Sequence, residues 1–215
     1  MPHRFKLDNH IDFDHLYLQP SNAFLRSANL FIQTEQTPNP ATLKFLPGQT
    51  VLESGTADFT DPAEAGTRSP LAENLFGVEG VAAVFFGHDF ITITKVADHD
   101  WYVMKPALLG AIMEHFTAGK PIMNDVAPTA DMNSGEEDDE VVTQIKDLLE
   151  TRVRPAVAQD GGDITFHGFD QGVVYLEMRG ACAGCPSSTA TLKMGIENML
   201  RHYIPEVTEV RPVAA

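Results

Sequence analysis

Cysteine is scarce in this chain: 215 residues hold two, Cys182 and Cys185. That excludes a disulfide-rich secreted scaffold. Long apolar runs are missing too, and none approaches the ~18 residues of a membrane span, so no membrane partner is expected. The opening residues lack the apolar core of a secretory signal, and Asp8, Asp12 and Asp14 break the acid-poor pattern of a transit peptide. Basic residues are the minority, with 15 Lys and Arg against 30 Asp and Glu and a net charge of −15. Neither half compensates: residues 1–130 hold 15 acids and 8 bases, residues 131–215 hold 15 acids and 7 bases. A phosphate backbone needs a basic face, so no nucleic-acid partner is expected. There is no G-x-S-x-G, no P-loop and no dinucleotide fingerprint. These absences point to a reducing compartment, with bacterial cytoplasm expected and the mitochondrial matrix as the alternative.

What is present is an ordinary globular composition, 43% apolar and 8% aromatic, over a length that suits one or two domains. Residues 1–29 show no sustained period and are expected to be a disordered N-terminal extension. Leu30–Thr34 and Thr42–Leu46 read as short strands around the turn formers Gln36-Thr-Pro-Asn-Pro40. Residues 54–70, rich in Gly, Pro, Thr and Asp, read as a loop, and Leu71–Phe76 as a short helix. Val81–Phe86 and Phe90–Lys95 flank Gly87-His-Asp89 as a hairpin. Met104, Leu108, Ile112 and Phe116 recur at helical spacing, with Pro106 in the expected first turn and Gly119 past the end. Trp101 and Tyr102 are expected to anchor the start of that helix. This unit spans residues 30–119.

A proline-containing linker, 120–134, precedes the acidic run Glu136–Glu140. The run reads as a helix N-terminus, with Ser134 and Glu137 as a capping box. A second unit, 135–211, follows. Val141, Ile145, Leu148, Leu149, Val153 and Ala156 trace one helical face that Pro155 should kink or end. Asp160-Gly-Gly-Asp163 turns the chain into a hairpin, Ile164–Phe169 and Val173–Met178. Both aspartates are expected as turn formers and both glycines for their backbone angles. Leu192, Ile196, Met199, Leu200 and Tyr203 stripe a last helix, which Pro205 stops ahead of an edge strand, Val207–Val210. The fold class is therefore α+β: two small α+β domains joined by an acidic, proline-containing linker. The C-terminal domain would be a β-hairpin plus edge strand packed on two helices.

Gly180-Ala-Cys-Ala-Gly-Cys-Pro-Ser-Ser188 carries the chemistry. Two cysteines three residues apart can hold one metal or cluster, or close a disulfide. Pro186 suits the first position of a helix. Cys185 would then be its N-cap, where unpaired N–H groups and the helix dipole favour the thiolate and depress its pKa. Gly180 and Gly184 are expected to leave room for a bulky ligand. Two thiolates fill half of a four-ligand site, and His167 and His202 have no ligand spacing with them; His10 and His15 lie far off in the extension. A second copy of the chain could supply the missing pair. From spacing alone, iron–sulfur ligation, dithiol redox chemistry and zinc binding all stay open.

The surrounding residues resemble a known family. Asp160-Gly-Gly-Asp163-Ile164, the cysteine loop, Thr191-Leu-Lys-x-Gly-Ile-Glu197 and Ile204-Pro-Glu-Val207 resemble the NifU C-terminal domain. Phe31-Ile-Gln-Thr34, Thr37-Pro-Asn-Pro40, Leu43-Lys-Phe45, Ser69-Pro-Leu-Ala72 and Phe90-Ile-Thr-Ile-Thr94 resemble its usual N-terminal partner. The chain is thus similar to Nfu-type iron–sulfur cluster carriers over residues 30–211. The resemblance implies a [4Fe–4S] cluster bridging two protomers of a homodimer through Cys182 and Cys185, received from an upstream iron–sulfur scaffold. It also implies transfer of that cluster to apo iron–sulfur client proteins by a non-enzyme. The alternative is a thiol–disulfide oxidoreductase using the same pair.

Overall fold

The computed structural model describes residues 31–124, 139–184 and 186–213. The expected extension, the capping box at Ser134 and Glu137, and Cys185 lie outside the described residues. The first half is built on a five-stranded antiparallel sheet. Its strands are β1 (Gln33–Gln36), β2 (Thr42–Leu46), β3 (Ala57–Phe59), β4 (Val81–Phe86) and β5 (Ile91–Lys95), in the order β1-β2-β5-β4-β3. The first strand begins later than its apolar residues suggest. The Thr37–Pro40 turn pairs Gln36 with Leu43 and Gln33 with Leu46, and that register defines the strand.

Residues 54–70 are not a loop. They contain β3 and a helix, α1 (Pro62–Arg68), with Asp61 as N-cap accepting from the Ala63 N–H. Ser69 ends α1 and caps the next helix, α2 (Pro70–Phe76), accepting from the Ala72 N–H. In both helices the proline opens the first turn, where its missing N–H costs nothing. The long helix α3 (Trp101–Ala118) starts at Trp101, as expected, behind the cap Asp100, but Pro106 lies inside it and not in its first turn. Gly119 closes α3 in the left-handed conformation, φ 62°. Leu71, Leu75, Leu108 and Ile112 pack as a fully buried apolar set with Phe45, Phe59, Phe86 and Ile93 of the sheet.

The second half holds a three-stranded sheet, β6 (Gly162–Asp170), β7 (Val173–Gly180) and β8 (Glu209–Val213). β6 and β7 form the antiparallel hairpin, and β8 joins β7 in parallel as the edge strand. A parallel neighbour needs a crossover, and α6 (Pro186–Tyr203) supplies it. Ahead of the sheet, α4 (Glu140–Leu148) runs through a π-helical turn, Leu149–Val153, into α5 (Arg154–Gln159). Pro155 explains the break. Its ring opposes the carbonyl four residues back and its nitrogen has no proton to donate, and the widened turn absorbs both. Ile145, Leu149, Val153 and Val157 still reach one core with Leu176, Ile196, Leu200 and Val210. Both halves belong to one compact unit beginning at Phe31. Among the described residues no helix is long and apolar enough to cross a membrane.

Candidate functional site

The cysteine loop leaves β7 at Gly180 and enters α6 at Pro186, which opens the helix as expected. Three hydrogen bonds set its path. The Ala181 N–H donates to the Gly161 carbonyl (3.1 Å), the Ala183 N–H to the Gly180 carbonyl (3.1 Å), and the Thr189 hydroxyl to the Cys182 carbonyl (2.9 Å). Gly180 has φ 62°, and a side chain there would meet the Gly161 carbonyl at 2.8 Å and the Phe85 ring at 3.0 Å. The space expected for a ligand at Gly180 is therefore filled by protein. Gly184 does stand open: its φ is 76°, and a side-chain carbon added there would meet nothing within 4 Å among the described residues.

Cys182 is a free cysteine and only 6% exposed. Its sulfur packs on Gly162, where an added Cβ would approach Sγ to 2.5 Å. Gly162 is thus required for close approach and not for its backbone angle, whereas Gly161 does adopt a left-handed φ of 83°. Burial, followed by the nearby Asp160 and Asp163 carboxylates, pushes the Cys182 thiol up to about 12. In this form Cys182 is a covered, protonated thiol. The depressed pKa expected for Cys185 belongs to a residue outside the described set.

Asp160 of Asp160-Gly-Gly-Asp163 ends α5 in the turn before β6, as expected, and lies near Cys182. Asp163 does different work from that expected. Asp163 is buried, takes a two-pronged ion pair from Arg154 (both contacts 2.8 Å) and accepts from the Thr56 hydroxyl at 2.9 Å. Those bonds, strengthened by Glu150, raise the Arg154 pKa. Arg179 and His167 converge on buried Glu177, at 2.8 and 2.7 Å, and the Arg179 hydrogen bond holds the Glu177 carboxyl below its usual value. His167 is therefore a carboxylate partner; His202 stacks edge-on against Tyr203.

Residues of the first half also reach the loop, a role expected of none of them from the sequence. Strand register places Glu35, Lys44, Thr92, Phe85 and Asp58 in one row across all five strands. Lys44 Nζ donates to the Ala158 and Gln159 carbonyls at 3.2 and 3.0 Å, placing a cation at the end of α5. The Thr92 hydroxyl donates to the Gly161 carbonyl at 2.6 Å, and Phe85 lies against Gly180. Asn39, from the Thr37–Pro40 turn, donates through Nδ2 to the Ala183 carbonyl at 3.0 Å. Trp101 steadies that turn from α3, its Nε1 donating to the Pro40 carbonyl at 3.3 Å, while Tyr102 stays exposed. Beside Cys182 opens a groove of about 600 Å³, lined by Pro38, Val153, Val157, Leu192, Ile196 and Met199. Among the described residues no group of three or more His, Cys, Asp and Glu side chains could hold a metal ion.

Comparison with known proteins agrees with both halves. Residues 32–119 match the family described as scaffold protein Nfu/NifU N terminal, and residues 145–211 match the NifU-like domain. The chain is 54% identical over 185 residues to a Homo sapiens protein named NFU1 iron-sulfur cluster scaffold homolog, mitochondrial. That match covers 86% of this chain and 72% of the human one. The chain belongs to the Nfu/NifU family of iron–sulfur cluster scaffold proteins. A relative of the same name from Drosophila sechellia is 54% identical over 86% of this chain, and the match spans 65% of the fly protein's length. A solution structure of a NifU-like protein from Saccharomyces cerevisiae is 24% identical, with a TM-score of 0.42, over 59% of this chain and all of that one.

Proposed function

We propose that this family member carries a [4Fe–4S] cluster between two protomers and hands it to apo-proteins, without catalysing a reaction of its own. The supply of thiolates carries the reading. Four are needed for such a cluster, and each chain holds two, three residues apart between a strand end and a helix start. Two copies related by a two-fold axis would bring Cys182 and Cys185 together with the same pair of the partner. Release would be ligand exchange: an acceptor thiolate bonds to iron as a cysteine sulfur leaves and takes up a proton, with no net electron transfer. The domain division 30–119 and 135–211 would separate a recognition module from the cluster module. The names of the relatives support a mitochondrial location; the bacterial cytoplasm expected from composition has no support among them.

Native mass spectrometry of anaerobic protein, with iron and acid-labile sulfide assayed on the same sample, tests the reading. A dimer with about four irons and four sulfides is expected. Cys182→Ser and Cys185→Ser should each abolish stable binding, because each dimer then loses half its ligands. A single variant that keeps a full cluster refutes bridging. An iron-free monomer whose cysteines oxidise and reduce reversibly transfers the case to thiol–disulfide chemistry.

A further inference from the structure

The Thr37–Pro40 turn satisfies itself and then reaches outward. The Thr37 hydroxyl donates to the carbonyls of Asn39 and Thr42, and it accepts from the Asn39 N–H at 3.2 Å. Asn39 Oδ1 accepts from the Ala41 N–H at 3.0 Å. That leaves Nδ2 of a residue only 4% exposed, and it donates one of its two protons to the Ala183 carbonyl. Ala183 stands between the two cysteines. Prolines on both sides of Asn39 stiffen the turn; Pro38 lines the groove beside Cys182, and Pro40 is held by Trp101. Lys44 and Thr92 grip the backbone where α5 ends and β6 begins, at Ala158, Gln159 and Gly161.

We propose that the N-terminal half is a clasp on the cysteine loop, with Asn39 as the positioning residue that keeps the Cys182 sulfur covered until the loop is to be used. The proposal rests on the reading of Cys182 as a cluster ligand. A cysteine buried to this degree, 6% exposed, can neither bridge to a second protomer nor meet an acceptor thiolate, so the clasp must loosen at loading and at release. The N-terminal half then sets the frequency of both events, beyond whatever partner it recognises.

The test uses the full-length apo protein and Asn39→Asp. Aspartate keeps an oxygen for the Ala41 N–H but turns an acceptor toward the Ala183 carbonyl. Iodoacetamide labelling is followed by peptide mass spectrometry, which reads Cys182 apart from Cys185, with thermal unfolding measured alongside. Loss of one hydrogen bond should raise the Cys182 labelling rate roughly three- to tenfold. A rate unchanged from wild type overturns the clasp, even if the variant melts earlier, since that pattern marks a merely structural role. Should Asn39→Asp fail to fold, Thr92→Val removes the donor to Gly161 and carries the same expectation. Cluster content of the wild type separates the two readings. Faster labelling in a protein that takes no iron keeps the clasp and sinks the carrier; a loaded wild type with unchanged labelling in the variant does the reverse.

Discussion

Replacing Gly162 by alanine should strike the site without removing a polar group. The new Cβ would stand 2.5 Å from Cys182 Sγ, 2.7 Å from the Arg179 carbonyl oxygen and 3.1 Å from the Cys182 nitrogen. Rotation of the Cys182 side chain could relieve the first contact. The other two are to backbone, so the end of β7 and the cysteine loop must shift together. Overpacking of this kind costs about 1–3 kcal/mol. In a chain of this size each kcal/mol lowers the melting temperature by roughly 2–4 °C, so the apo protein should melt about 2–12 °C lower. Cluster content after reconstitution should fall with it, because the displaced segment carries Cys182. Gly168→Ala is the control, since no described residue lies within 4 Å of its Cβ and its φ is not left-handed. A Gly162→Ala protein as stable as that control, and as fully loaded as wild type, would refute the packing argument.

Three further outcomes follow from the electrostatics. Cys182 titrates near 12 in the folded chain against 9.0 when unperturbed, so folding favours its protonated form. Stability from this group is whole below about pH 9 and drains away as pH climbs toward 12; Cys182→Ala should lose stability less steeply across that window in thermal unfolding. Asp58, facing Arg179 and Glu177, is raised from 3.8 to about 6 mainly by burial. Its contribution is present below pH 3.8 and lost as pH rises through 6, so Asp58→Asn should flatten that slope and melt higher than wild type at neutral pH. Lys44→Met leaves the Ala158 and Gln159 carbonyls without their donor and should cost about 1–3 kcal/mol in chemical denaturation; a neutral result would show that water replaces the ammonium there.

Strands bracketed by strong turn formers were legible from the sequence. Val81–Phe86 and Thr42–Leu46 stand where their flanking turn residues place them, and Pro186 opens α6 as its chemistry requires. Residues 54–70 misled because Asp61-Pro62 and Ser69-Pro70 resemble loop punctuation, while in the structure each pair is a cap followed by a first helical residue. The cysteine pair could be found by inspection, but its cover could not. Lys44 and Thr92 look like the solvent side of half-exposed strands, yet both are buried because the second half closes over that face. Asp163 looked like a turn former because its partners Arg154 and Thr56 reach it only through tertiary packing. Only Asn39 offered a local signal: an amide flanked by two prolines is a stiff turn with one donor to spare.

The π-helical turn at Leu149–Val153 also limits how this chain can vary in length. Each helical residue advances the face by about 100°, and the widened turn spends one extra residue before α5 begins. Closing that turn into a regular helix with every residue kept would rotate α5 by that angle relative to α4. Val157 would leave the core, and the Arg154 guanidinium would swing away from Asp163, next to the segment that carries Cys182. An insertion of one residue that left the widened turn in place would rotate α5 in the same sense. The distance along the chain from Ile145 to Asp160 is therefore a phase setting, and a viable change of length there must remove the extra residue together with the widened turn or come in whole turns.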